Sequence, residues 1–270
     1  MEIIEKVNQE IPYLASEGMD LAGGVAHGFS TRLGGVSEGI WASLNLGISR
    51  GDDPDRVREN YRRFMAAIGA QEGKLVKSNQ VHKDTVRVVT SADWREDICE
   101  KAAFEADGLM TATPGVALMI STADCIPVLF YDPVRRVVAA AHAGWRGTAA
   151  GIVTRTVERM EDVYGCNPGD ILAAIGPGIC PQCFETHEDV PNAMMAALGT
   201  PVLQHIQIKD NGKFSVDLKG INAMRLEQAG LDPAKIAISR ECTSCRTDKY
   251  WSHRKVGNNR GSMASVIQLL

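Results

Sequence analysis

The sequence has no run of about 18 apolar residues, the length a helix needs to cross a bilayer. Its most apolar stretch, 116–131, is broken by Ser121, Thr122 and Asp124. The first ten residues, MEIIEKVNQE, carry acids where an export signal has a basic region and then an apolar core. No charge of one sign dominates. Lys and Arg number 29 against 33 Asp and Glu, a formal net charge of -4, so no basic tract offers itself to nucleic acid or an anionic membrane. Repeats, long linkers and low-complexity segments are absent as well. The seven cysteines are an odd number without the spacing of a small disulfide-stapled fold. They are expected as free thiols or ligands in a reducing compartment, and the expected location is the cytoplasm.

What is present is ordinary globular material: 270 residues, 44% of them hydrophobic. A chain of this size buries roughly 75% of the surface its unfolded form exposes, so it folds without staples. Segments 86–89, 116–120, 127–130 and 137–141 are rich in Val, Ile, Leu and Ala between turn residues and read as strands. Strands are also expected at 171–175, 236–238 and 264–268. Apolar spacing over 148–164, closed by Gly165, predicts an amphipathic helix, with further helices over 56–68, 187–197 and 217–230. The strands cluster without regular βαβα alternation. That pattern predicts an α+β fold, with mixed β-sheets in a sandwich-like core, flanking helices and a single domain over 1–270.

Three residues at element ends attract attention. His82 stands just ahead of a strand, Cys125 lies between two apolar strands, and His142 sits where a strand runs into Gly144. A hairpin turning at Asp132-Pro133 would bring Cys125 and His142 face to face. Two imidazoles and a thiolate make a three-ligand site with one position open, the pattern of catalytic rather than structural zinc. Such an ion polarises a carbonyl or acidifies bound water. Spacing alone leaves open the plainer alternative of a buried cysteine and two histidines satisfied by local hydrogen bonds.

The strings ADGLMT, STADCIPVLFYDP and AAAHAGWRGT at 106–111, 121–133 and 139–148, with HGFSTRLGGVS at 27–37, SLNLG at 43–47, QVH at 80–82 and IGPGIC at 175–180, resemble the laccase-domain (YfiH-type) family. The tail, Cys242-Thr243 and Ser252-His253-Arg254, continues the likeness, which covers nearly the whole chain. Members of that family are described both as polyphenol oxidases and as purine nucleoside phosphorylases. The resemblance implies that His82, Cys125 and His142 hold a zinc ion at the active site. It further implies phosphorolysis of purine nucleosides to a base and ribose 1-phosphate, with adenosine deamination and methylthioadenosine cleavage as side activities. Two positions depart from the pattern. Lys83 replaces the usual glycine after the first histidine and is expected to narrow or charge the site mouth. The tail reads Asn259-Arg260-Gly261-Ser262, where relatives carry Gly-Arg before Met-Ala-Ser, so no site role is assigned to its arginine.

Arg146, at an expected helix start, and Arg32, beside Gly34-Gly35, are the candidate phosphate-binding residues, since a helix N-terminus and a guanidinium both favour an anion. The alternative for each is a solvated or salt-bridged arginine. The pairs Cys180/Cys183 and Cys242/Cys245 together mimic a four-cysteine zinc site. Their separation is far longer than in a zinc ribbon, and they are expected to be unrelated thiols. His253 is a possible substrate contact.

The leading expectation is therefore a zinc-dependent purine nucleoside phosphorylase. Its partners would be a small nucleoside and phosphate, with no nucleic acid and no membrane, in a monomer or homodimer. A copper-dependent polyphenol oxidase is the alternative, although a multicopper centre needs more imidazoles than six histidines supply. A further alternative is a hydrolase with Cys125 as nucleophile, His142 as base and Asp124 as its orienting group.

Overall fold

The computed structural model describes residues 1–70 and 74–270. Its strands in chain order are β1 (Ile3–Asn8), β2 (Ile11–Ser16), β3 (Val25–Ser30), β4 (Leu75–Val76), β5 (Val86–Val88), β6 (Gly108–Thr111), β7 (Ala117–Thr122), β8 (Ile126–Asp132), β9 (Val137–Ala143), β10 (Leu172–Ile175), β11 (Glu185–Thr186), β12 (Ile206–Ile208), β13 (Phe214–Val216), β14 (Ile236–Ile238) and β15 (Met263–Leu269). The helices are α1 (Glu17–Ala22), α2 (Pro54–Ile68), α3 (Trp145–Ala150), α4 (Ile152–Tyr164), α5 (Asp189–Leu198), α6 (Leu218–Gln228) and α7 (His253–Val256).

Two six-stranded sheets, ordered β1-β2-β3-β15-β7-β4 and β14-β10-β8-β9-β6-β5, lie face to face, and a small sheet β11-β13-β12 stands apart from them. Both large sheets are mixed: β4–β7, β5–β6 and β10–β14 are parallel, and the other pairs antiparallel. The layering follows from side-chain alternation along each strand. Leu118 and Ile120 of β7 face inward to meet Leu129 and Tyr131 of β8 and Val138 of β9 in one buried cluster. The alternate residues Ala117 and Met119 face outward onto α2, where Tyr61, Phe64 and Ile68 form the apolar stripe. On the far side, Val128, Phe130 and Ala139 pack under α4 through Val153, Val157 and Met160. Both faces of the central strands are thus covered, which is why they read as continuous apolar runs. The expected class, mixed sheets in a sandwich-like core with flanking helices, is what the structure contains.

Differences are local. Helix α2 starts at Pro54 rather than 56, because Asp53 caps it by accepting from Asp55 N at 2.9 Å and proline fits the first helical position. The single helix expected over 148–164 is two helices. Gly151 adopts φ +88° and closes α3 with its N–H on the Gly147 and Thr148 carbonyls before α4 begins. Strands β1 to β3 were not anticipated. The β1–β2 turn is made by Gln9 and Glu10 at φ 48° and 65°, without the glycine or asparagine that usually marks such a hairpin.

Candidate metal centre

The β8–β9 hairpin forms as expected, with Asp132 Oδ1 accepting from Val134 N and Arg135 N to close its turn. Pro127 pairs with His142, and Cys125 lies just ahead of β8, where the chain crosses from the first sheet to the second. The loop after β4 delivers His82. The ligand atoms of His82, Cys125 and His142 all lie within 4.8 Å of one another, and the two imidazoles meet edge to face with centroids 4.8 Å apart.

The residue that assembles them is Asp107, just ahead of β6 in the ADGLMT string. Its carboxylate is fully buried and accepts from the backbone N–H of Val81 at 3.0 Å, of His82 at 2.9 Å and of Lys83 at 2.9 Å. These bonds hold His82 in the left-handed conformation, φ 61°, that few non-glycine residues adopt. The same carboxylate bonds His142 Nδ1 at 2.8 Å, so His142 Nδ1–H is the donor and Nε2 is the nitrogen that would bind a metal once its proton is displaced. Burial alone would raise the Asp107 carboxyl, but His142 and the Lys83 and Val81 amides hold it below the usual range. At Cys125 burial also works upward, and the imidazoles of His142 and His82 outweigh it, bringing the thiol down to about 6. Burial would lower His142. The Cys125 thiolate and Asp107 prevail and lift it to about 9. The donor set is therefore polarised toward the thiolate form that metals bind.

Gly144 completes the cradle. A Cβ there would stand 2.9 Å from His82 Cδ2 and 3.2 Å from Cys125 Sγ, so any side chain would press on the ligands. Two imidazoles, a thiolate, a buried orienting carboxylate and a glycine-cleared floor fit a resident metal ion.

Asp124 has a different job from the orienting role considered for it. At φ 91°, its carboxylate accepts from Thr243 Oγ1 at 2.7 Å, Ser252 Oγ at 3.1 Å and Arg254 N at 2.6 Å, so it ties Cys125 to the C-terminal loops.

The centre opens on a cleft of about 790 Å³ whose cationic lining is Arg50, Lys77, Lys101 and Arg260. Neither expected phosphate-binding arginine is among the lining residues. Arg32 donates to the Ala42 and Thr247 carbonyls and lies 3.7 Å over the Trp251 ring, so its guanidinium braces two loops. Arg146 is exposed and stacks 4.1 Å over Trp145, on a helix of only six residues. Lys83 is exposed and absent from the cleft wall, and the centre uses only its backbone N–H. His253 is also outside, its Nδ1 on Gly257 O at 3.1 Å.

The tail arginine given no role, Arg260, lines the cleft together with Arg50. It is buried, bonds Gly261 O at 2.8 Å and Ser262 Oγ at 3.3 Å, and leaves its Nε without a partner. Burial, then the like charge of Arg50, lowers it to about 10, so it remains a cation at neutral pH. Asn45 positions that tail by accepting from Ser262 N at 3.0 Å and Gly47 N at 2.8 Å. The SLNLG segment is thus a cradle for the arginine-bearing strand entry.

The four remaining cysteines of interest are not unrelated. Cys180, Cys183, Cys242 and Cys245 converge with their sulfurs within 4.8 Å of one another, because β10 and β14 are parallel neighbours and the chain leaves both at the same end.

Fold and site together define a two-sheet sandwich protein with a metal-ready His–Cys–His centre at the floor of a basic cleft. The chain belongs to the multi-copper polyphenol oxidoreductase laccase family, whose model matches residues 26–270. A purine nucleoside phosphorylase of Deinococcus radiodurans is 43% identical over 246 residues, 91% of this chain and 89% of that protein. The Escherichia coli purine nucleoside phosphorylase YfiH is 39% identical over 247 residues, 92% of this chain and 95% of that protein. The crystal structure of YlmD from Geobacillus stearothermophilus superimposes with a TM-score of 0.91 at 33% identity, covering 99% of each chain. Among the described residues no helix is long and apolar enough to cross a membrane.

Proposed function

We propose that this protein is a zinc-dependent purine nucleoside phosphorylase, acting on adenosine, inosine or guanosine with inorganic phosphate. The observation that carries the reading is Arg260. A largely buried guanidinium, close enough to Arg50 to feel its charge, lines the same cleft as the His82–Cys125–His142 centre. A guanidinium presents a charge-assisted fork of donors to an anion, and phosphate is the anion the reaction needs. The names of the two similar enzymes support the same assignment.

In phosphorolysis a phosphate oxygen forms a bond to ribose C1′ while the bond from C1′ to the purine nitrogen breaks. The base leaves with the electron pair and acquires a proton. Arg260 and Arg50 hold the phosphate and offset its charge, so that it is presented to C1′ in a fixed orientation. Asp107 keeps the ring of His142 and the backbone of His82 in place through turnover. A zinc ion held by His82, Cys125 and His142 would supply an electron-pair acceptor at the cleft floor. Deamination of adenosine and cleavage of methylthioadenosine are proposed as side activities of the same cleft.

A copper polyphenol oxidase is the second reading, favoured only by the family's description. Of the six histidines, His82 and His142 alone reach the cleft, too few imidazoles for a multicopper cluster. The test is product analysis after incubating the purified protein with inosine and phosphate. Hypoxanthine and ribose 1-phosphate in equal amounts, formed only with phosphate, are expected. Oxygen-dependent oxidation of a phenol with no ribose 1-phosphate would overturn the assignment.

A further inference from the structure

We propose that Cys180, Cys183, Cys242 and Cys245 hold a second, structural zinc ion that locks together the two loops supporting Cys125. The cluster is built by the backbone before any metal arrives. Strands β10 and β14 pair in parallel through Ile175 and Ile238, and the pairing continues beyond them, with Ser239 N on Ile175 O at 2.8 Å and a bridge between Gly178 and Cys242. Each C-x-x-C segment then turns tightly. Cys183 N and Phe184 N donate to Cys180 O at 3.1 and 2.9 Å, and Arg246 N donates to Cys242 O at 3.0 Å.

The sulfurs end at separations suited to a shared ion rather than a bond. Cys183 Sγ and Cys245 Sγ are 3.4 Å apart, Cys180 Sγ and Cys245 Sγ 3.9 Å, and all four thiols are free. A disulfide needs about 2.05 Å. Tetrahedral zinc with bonds of about 2.3 Å places its sulfurs about 3.8 Å from one another. Two backbone amides, Cys180 N at 3.2 Å and Cys245 N at 3.4 Å, donate to the buried Cys242 Sγ, as they would to a thiolate.

A second observation points the same way. The buried ammonium of Lys219 donates to the carbonyls of Ser239 and Glu241, on the segment leading to Cys242, and among the described residues it makes no salt bridge to a carboxylate. Four thiolates around one divalent zinc carry a net charge of -2, which this ammonium offsets while it also feels the Asp217 and Glu241 carboxylates and the Cys180 and Cys242 thiols. Filling the site releases the four thiol protons and changes no oxidation state.

The consequence reaches the first centre. Ile179 N, next to Cys180, donates to Asp124 O at 2.9 Å, and Thr243 Oγ1, next to Cys242, donates to Asp124 Oδ1 at 2.7 Å. Both clamped loops therefore grip the residue that precedes Cys125. With four protein ligands and no open position the site is structural, not catalytic.

Elemental analysis of the full-length protein, expressed with zinc in the medium, tests this. The wild type is expected to hold two zinc ions per chain. The His82→Ala/His142→Ala variant, which lacks the first centre, should hold one, with X-ray absorption at the zinc edge showing four sulfur neighbours at about 2.3 Å. A Cys183→Ser/Cys245→Ser variant that folds should also hold one, at the other centre. A first-centre variant that binds no zinc overturns the proposal, as does a disulfide among these four cysteines in freshly purified protein. Because that variant is scored by metal content and sulfur coordination, its outcome is independent of whether the protein proves to be a phosphorylase.

Discussion

Asp107 accepts the Nδ1–H of His142 at 2.8 Å with the same carboxylate oxygen that takes the backbone N–H of His82 at 2.9 Å. One side chain thus fixes the ring of one ligand and the main chain of the other. Asp107→Asn keeps the shape but turns an acceptor oxygen into an NH2 group facing buried donors. Zinc affinity, measured by competition with a chromophoric chelator, is expected to fall about 10–100-fold. The metal-free variant should also unfold more easily by about 1–3 kcal/mol, read by urea titration, because the buried donors on the replaced oxygen lose their acceptor.

Arg260 and Arg146 should separate cleanly in kinetics. Arg260→Gln is expected to raise the phosphate KM by roughly 10- to 100-fold, the loss of a charge-assisted hydrogen bond worth about 1.5–3 kcal/mol. Arg146→Ala, which removes only an exposed ring contact, should leave the phosphate KM unchanged and stability within about 0.5 kcal/mol of wild type. A phosphate effect at Arg146 and none at Arg260 would move the anion site to the start of α3.

Cys125 distinguishes a metal enzyme from a thiol hydrolase, since Cys125, His142 and Asp107 also have the contacts of a nucleophilic triad. Cys125→His replaces a sulfur ligand by a nitrogen that zinc accepts, while abolishing the nucleophile. The variant is expected to retain zinc and residual phosphorolysis, and chelation of the wild type should remove activity that zinc restores. A chelator-resistant enzyme stopped only by thiol alkylation would identify the hydrolase.

His27 sets an acid limit on stability. Burial lowers its ring to about 4, and Nε2 accepts from Ser16 N at 2.9 Å, a bond that protonation destroys. The folded value lies below the ordinary value near 6.5, so above that pH both folded and unfolded chains are neutral and nothing is lost. Between about 6.5 and 4 the unfolded chain takes the proton first, and folding weakens by up to roughly 3 kcal/mol. Thermal unfolding from pH 7 to 4 should show this fall, and His27→Gln, whose amide oxygen can accept the same bond, should flatten it.

The legible parts of the sequence were those whose signal is local. Apolar spacing over 56–68 marks the body of α2, continuous apolar runs between turn residues mark β7 to β9, and Asp132-Pro133 turns the hairpin that sets Cys125 beside His142. The fold class and the His82, Cys125 and His142 cluster followed from such signals joined to the family motifs. Arg32 and Arg146 are not among the cleft-lining residues: glycine and a helix start favour anions wherever they occur, and nothing local says which way a guanidinium points. Asp107 was passed over because Asp-Gly is a common turn, and its three amide donors belong to a loop some 25 residues away.

The sequence by itself determined the central strands, the bodies of the longer helices, the mixed-sheet class and the candidate ligands of the first centre, because periodicity and residue type act over a few residues. Only the tertiary structure decided which cations face the cleft and which carboxylate binds both histidines. It alone also joined two C-x-x-C pairs some 60 residues apart into one cluster, through the parallel pairing of β10 and β14. Strand order is chosen by burial of both sheet faces at once, a global condition that spacing along a chain does not encode.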